Sequence, residues 1–108
     1  MLERYAYLDQ SYNQLLRLYF ENPQFGDREK TDDYLNQFEG EELLRYHFFA
    51  MMVHTVMETI FDVSKGRIPL EWIQIFNHHS RLHVAWLEHN RGLQEEGYLA
   101  TVLGFSNA

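Results

Sequence analysis

The chain has 108 residues, 45% of them hydrophobic and 16% aromatic, enough for one core-forming domain over 1–108 and too few for two. It has no cysteine, which excludes a disulfide scaffold, a thiolate zinc site and a cysteine nucleophile together. The net charge is −7, and the nine Lys and Arg residues are scattered with no two adjacent, so no basic stripe exists to neutralise a row of phosphates and nucleic acid is not an expected partner.

The first element is a helix over 2–21. Tyr5, Leu8, Tyr12, Leu15 and Tyr19 keep a three-four spacing, and Leu16 and Phe20 widen that stripe. Tyrosines on a buried stripe imply a half-wet seam, because each hydroxyl wants water or a partner. Asn22-Pro23 ends the helix, since the residue before proline avoids the helical region. The polar stretch 24–39 predicts a long connection with one short helical turn, capped at Thr31-Asp32-Asp33 and pinned to the core by Tyr34, Leu35 and Phe38.

The longest segment without a breaker is Gly40 to Val63, read as a central helix near 41–63. Phe49, Val53, Val56, Ile60 and Val63 form a continuous apolar stripe, which Leu43, Tyr46, Ala50, Met57 and Phe61 widen to about half the circumference. The opposite half mixes Phe48, Met51 and Met52 with Arg45, Thr55, Thr59 and Asp62, so it too asks for cover. Glu41 and Glu42 suit the positive end of the helix dipole, and Lys65-Gly66 suits a C-terminal stop.

Pro69 fits the first position of a further helix carrying Trp72, Ile73, Ile75 and Phe76 and ending near His78-His79. Ser80 reads as the N-cap of another, with Leu82, Ala85, Trp86 and His89 on one face. Tyr98, Leu99, Val102, Leu103 and Phe105 make a last apolar helix. The expected fold is all-α: a compact bundle of four main helices around the central one.

Two sets of residues carry functional expectations. His54 with Glu58, and His79 with His83, are i,i+4 pairs, the spacing that sets two ligands on one helix face, so a metal site is one reading. No H-E-x-x-H motif is present, and the alternative keeps His47 and His54 as hydrogen-bonded edge residues and His78, His79 and His83 solvated. His54–Glu58 and Glu88–His89 are formally imidazole–carboxylate pairs, but no catalytic residue, Gly-rich phosphate loop or cofactor is assigned. The second set is Phe48, Met51 and Met52 with Tyr5, Tyr12 and Tyr19, expected to bury against a second copy or a protein partner; cover from within the chain and a small-molecule groove are the other readings of Phe48, Met51 and Met52. The functional expectation is therefore a non-enzymatic interaction or regulatory domain that self-associates, its process not specified, with a metal- or small-ligand-binding enzyme or sensor using the His/Glu cluster as the alternative. No run of about 18 apolar residues could span a bilayer, and no signal-peptide pattern is present. The expected location is cytoplasmic, with the soluble part of a membrane-tethered protein as the other possibility.

The series Leu15-Leu16-Arg17-Leu18, Glu21-Asn22-Pro23, a central helix with Phe49 and Glu58, Pro69 with Trp72, then Ser80-Arg81-Leu82 and Trp86-Leu87-Glu88-His89 resembles a group of small bacterial helical domains. In that group a leucine-rich helix ends in an E-N-P-like stop and a late W-x-E-H-like segment closes the domain. Some members carry an N-terminal membrane helix. The resemblance covers 15–103 and implies an all-α fold and a bacterial origin. It implies no activity and assigns no catalytic residue.

Overall fold

The computed structural model describes the backbone of residues 3–107 and the side chains of residues 8–104. Its elements in chain order are α1 (Glu3–Glu21), a 3-10 turn (Pro23–Gly26), α2 (Arg28–Thr31), α3 (Tyr34–Gln37), α4 (Gly40–Val63), α5 (Leu70–Leu82), α6 (Val84–His89), a second 3-10 turn (Arg91–Leu93) and α7 (Glu96–Asn107). No strand occurs among the described residues. The all-α expectation holds, with the central helix where the apolar period places it.

Helix α4 forms the spine. Tyr46, Ala50, Val53, His54, Met57 and Ile60 are each 0% exposed, and α1, α5 and α6 pack around this face. Its C-terminus closes through two consecutive left-handed residues, Lys65 at φ 56° and Gly66 at φ 80°. The Gly66 amide donates to the Phe61 carbonyl at 2.8 Å, which satisfies an orphan carbonyl of the last turn. The Phe61 ring then fills the space above Gly66 and Gly97, where a Cβ would stand 3.6 Å from it in either place.

The connection between α1 and α4 holds more structure than its polarity suggests. Asp27 caps α2 by accepting from the Glu29 amide at 3.1 Å. Tyr34 and Phe38 are buried as expected, whereas Leu35 is 54% exposed, because a single turn cannot point residues 34 and 35 the same way. Phe25, alone in a polar stretch, is buried as deeply as Phe38: its ring meets Phe38, Tyr46 and Phe49 at centroid distances of 5.3, 5.3 and 5.4 Å.

One boundary departs from expectation. Ser80 does not cap a helix; it lies buried inside α5, and its hydroxyl meets the Tyr98 hydroxyl of α7 at 3.3 Å. The break falls three residues later, at His83, whose φ of −114° and ψ of 30° leave the helical region between α5 and α6. That break turns the His83 ring and carbonyl into the middle of the bundle.

Candidate functional site

Three histidines expected at an edge or in solvent are buried: His54 and His83 are 0% exposed and His79 is 5% exposed, while His78 is exposed. A buried imidazole must satisfy both ring nitrogens, and tyrosines of the first-helix stripe do much of this. His79 Nε2 meets the Tyr12 hydroxyl at 3.0 Å, and His79 Nδ1 meets the Tyr19 hydroxyl at 2.9 Å. The same Tyr19 hydroxyl meets His83 Nε2 at 2.7 Å, and His83 Nδ1 meets the Tyr46 hydroxyl at 2.6 Å. The result is one chain of hydrogen bonds, Tyr12–His79–Tyr19–His83–Tyr46, that stitches α1, α5 and α4 together.

Elementary proton counting gives this chain a direction. Three hydroxyls and two neutral imidazoles hold one proton more than the four hydrogen bonds use. If the surplus proton sat on Tyr46, it would lie in a fully buried site with no second partner among the described residues. On half-buried Tyr12 it reaches water. On Tyr19, which is mostly enclosed and would then face two N–H donors, it would lack an acceptor among the described residues as well. The order that satisfies every proton therefore runs Tyr46 O–H to His83 Nδ1, His83 Nε2–H to Tyr19, Tyr19 O–H to His79 Nδ1, and His79 Nε2–H to Tyr12. Both imidazoles are neutral in it.

His54 is fixed more simply. Its Nε2 lies 2.9 Å from the His83 carbonyl, which only accepts, so Nε2 carries the proton. Nδ1 then accepts from the Tyr98 hydroxyl at 2.7 Å, and Ser80 donates to Tyr98 in turn. Trp86 stacks on the His54 ring at 5.6 Å and donates its indole N–H to His47 Nδ1 at 3.0 Å.

Burial sets the charge state of the whole group. It holds His54 and His79 down to about 4 and His83 well below the usual imidazole range, with neighbouring imidazoles adding to the effect at His79 and His83. It pushes Tyr19, Tyr46 and Tyr98 above the ordinary phenol value. These three histidines and three tyrosines are neutral near pH 7, and among the described residues no carboxylate bonds to any of them.

The four residues expected as metal ligands fall in separate places. His79 and His83 stand together with the Tyr19 hydroxyl between them. His54 occupies the other side of the His83 carbonyl. Glu58 accepts from the Glu95 amide at 3.3 Å, and no hydrogen bond joins it to His54. Its carboxylate lies instead with those of Asp62 and Glu95, all within 4.8 Å of one another, and burial followed by those neighbours raises its pKa. Glu88 and His89 are exposed, with His89 Nδ1 bonded to the Ala85 carbonyl.

The second set divides as well. Phe48 is 56% and Met52 40% exposed, and Met51 is half-buried against the core. Tyr12 and Tyr19 turn their hydroxyls inward to the histidines, and the side chain of Tyr5 lies outside the described residues. Leu44, 55% exposed and one turn before Phe48, joins the outward apolar residues; its place on that face is readable from the helical wheel. Beside them, between the end of α1 and α4, lies an apolar groove of about 210 Å³. The signal for the tyrosine–histidine chain was also in the sequence: Tyr12 and Tyr19 are spaced two turns apart, and His79 and His83 one turn apart. What periodicity could not show was that these two faces meet.

Comparison with models of protein families, with characterised proteins and with solved structures finds no match to this chain. No helix among the described residues is long and apolar enough to cross a membrane.

Proposed function

We propose that this protein is a non-enzymatic interaction domain that works by associating with a second copy of itself through the outward face of α4. The observation that carries this reading is a strip in which Leu44, Phe48 and Met52 follow one another at four-residue steps and stand 55%, 56% and 40% exposed. Thr55 and Thr59 continue it, and their hydroxyls donate back to the carbonyls of Met51 and Thr55 at 2.8 Å each. The two threonines thus add methyl groups to the strip, with neither hydroxyl left seeking a partner. From Leu44 to Thr59 it runs about 22 Å at 1.5 Å per residue.

A second copy suits the strip on two grounds. A two-fold contact sets one patch against itself, and the flexible methionine side chains can adapt to their own kind across the axis. Charge favours the same place: no Asp or Glu occurs between Glu42 and Glu58, so two chains of −7 each can meet there with the least local repulsion. The sequence resemblance implies a bacterial origin and no activity; on this reading the domain acts by covering or exposing this face.

The alternative, a metal- or ligand-binding enzyme or sensor built on His54, Glu58, His79 and His83, has less support. All six nitrogens of the three rings are bonded within the chain, and the Tyr19 hydroxyl stands where an ion shared by His79 and His83 would have to sit. Native mass spectrometry separates the readings. Wild type should give twice the 13.0 kDa chain mass without added mass, and Met52→Asp should give the single chain with its helical circular dichroism intact. A Met52→Asp protein that keeps the native mass of wild type contradicts the assignment.

A further inference from the structure

The apolar groove beside α4 combines features that point to a small ligand. Its base is made by the buried rings of Phe25 and Phe49, and Leu18, Phe48 and Met52 form its walls. At its rim stands Arg45, which makes no hydrogen bond or ion pair with any described residue. The acids one turn earlier do not satisfy it. Glu42 accepts from Gln24 Nε2 at 2.9 Å, and neither Glu41 nor Glu42 comes within 4 Å of the guanidinium. Asn22 also lines the groove, with its side-chain amide donating to the Leu18 carbonyl at 3.0 Å. An unpaired guanidinium over this mostly apolar, aromatic-based hollow is complementary to a molecule with one carboxylate and a hydrocarbon body.

Volume limits the body. A cavity of about 150 Å³ accepts benzene, so about 210 Å³ accommodates roughly eight or nine carbon atoms. We propose that this groove binds small amphiphilic carboxylates of that size, medium-chain aliphatic or arylalkanoic acids, with the hydrocarbon on Phe25 and Phe49 and the carboxylate on Arg45. The net charge of −7 opposes any anion at long range, so selectivity resides in the local Arg45 contact, and it persists at physiological salt, where the distant charges are screened. The inference does not depend on self-association, although Phe48 and Met52 belong to both surfaces.

The test is a titration of methyl-labelled protein with octanoate and, in parallel, 1-octanol, followed by NMR at about 0.15 M salt. Octanoate should shift the Met52 and Leu18 methyls saturably and bind about tenfold more tightly than octanol. Arg45→Gln, at an exposed helix position, should abolish that difference while leaving octanol binding unchanged. Light scattering on the same samples reports association separately. Thr55→Arg, on the strip but outside the groove, keeps the groove open in case a second copy covers it. Absence of a saturable shift at Met52 and Leu18 in both wild type and Thr55→Arg overturns the proposal. So does equal affinity for acid and alcohol, or an acid preference that survives Arg45→Gln.

Discussion

Tyr46 and Tyr12 occupy the two ends of one hydrogen-bonded chain, and the ends are not equivalent. Tyr46→Phe strands His83 Nδ1 in a fully buried site and should cost about 1–3 kcal/mol of unfolding free energy. Tyr12→Phe leaves His79 Nε2 beside a half-buried end that water can reach, and should cost less than about 1 kcal/mol. Urea denaturation of both variants compares them directly. The same residues make the fold acid-sensitive. His54 and His79 are neutral in the folded state down to about 4, whereas the unfolded rings take up protons near 6.5. Between those values the unfolded chain binds more protons, so stability is full above about pH 6.5 and falls as pH decreases towards 4. At pH 5 the loss should be about 2 kcal/mol for each of these two histidines. A melting temperature that stays flat from pH 7 to pH 5 contradicts the neutral assignment.

At the scale of elements, α4 shows how much the sequence could disclose. Its apolar stripe, its ends and its uncovered face with Phe48 and Met52 were all legible from a 3.6-residue period, because one helix determines its own faces. Contacts between elements were not legible. Ser80 reads locally as a cap, yet Tyr98, eighteen residues on, holds its hydroxyl and α5 runs through it. His79 and His83 read as solvated because nothing local shows that Tyr12 and Tyr19 face them across the bundle. Phe25 was hidden for a related reason: a lone aromatic in a polar stretch has no periodicity. Its burial among Phe38, Tyr46 and Phe49 makes it the tether of the 22–39 connection. Phe25→Ala should destabilise the protein by about 3–5 kcal/mol. In hydrogen exchange, the amides of α2 and α3 should lose protection before those of α4.

For the molecule as a whole, the two halves of α4 divide the labour. One half closes a core in which every buried imidazole is neutral and bonded, which fixes the arrangement of α1, α4 and α5. The other half leaves Leu44, Phe48 and Met52 uncovered on a chain that is otherwise strongly acidic. The candidate ligands His54, Glu58, His79 and His83 could be recognised as residue types, but their distribution over separate hydrogen-bond environments depended on the His83 break, which no motif announces. Association through a strip with no acid between Glu42 and Glu58 should also persist with added salt, because apolar burial holds it together and salt screens the repulsion between the two chains.

The measurement that bears most directly on self-association is sedimentation velocity of wild type and Phe48→Asp over a wide concentration range. Self-association through this strip predicts a wild-type species that moves from the 13.0 kDa monomer to its dimer as concentration rises, while Phe48→Asp remains monomeric and folded. A wild type that stays monomeric at every concentration, or a Phe48→Asp protein that dimerises as wild type does, contradicts it.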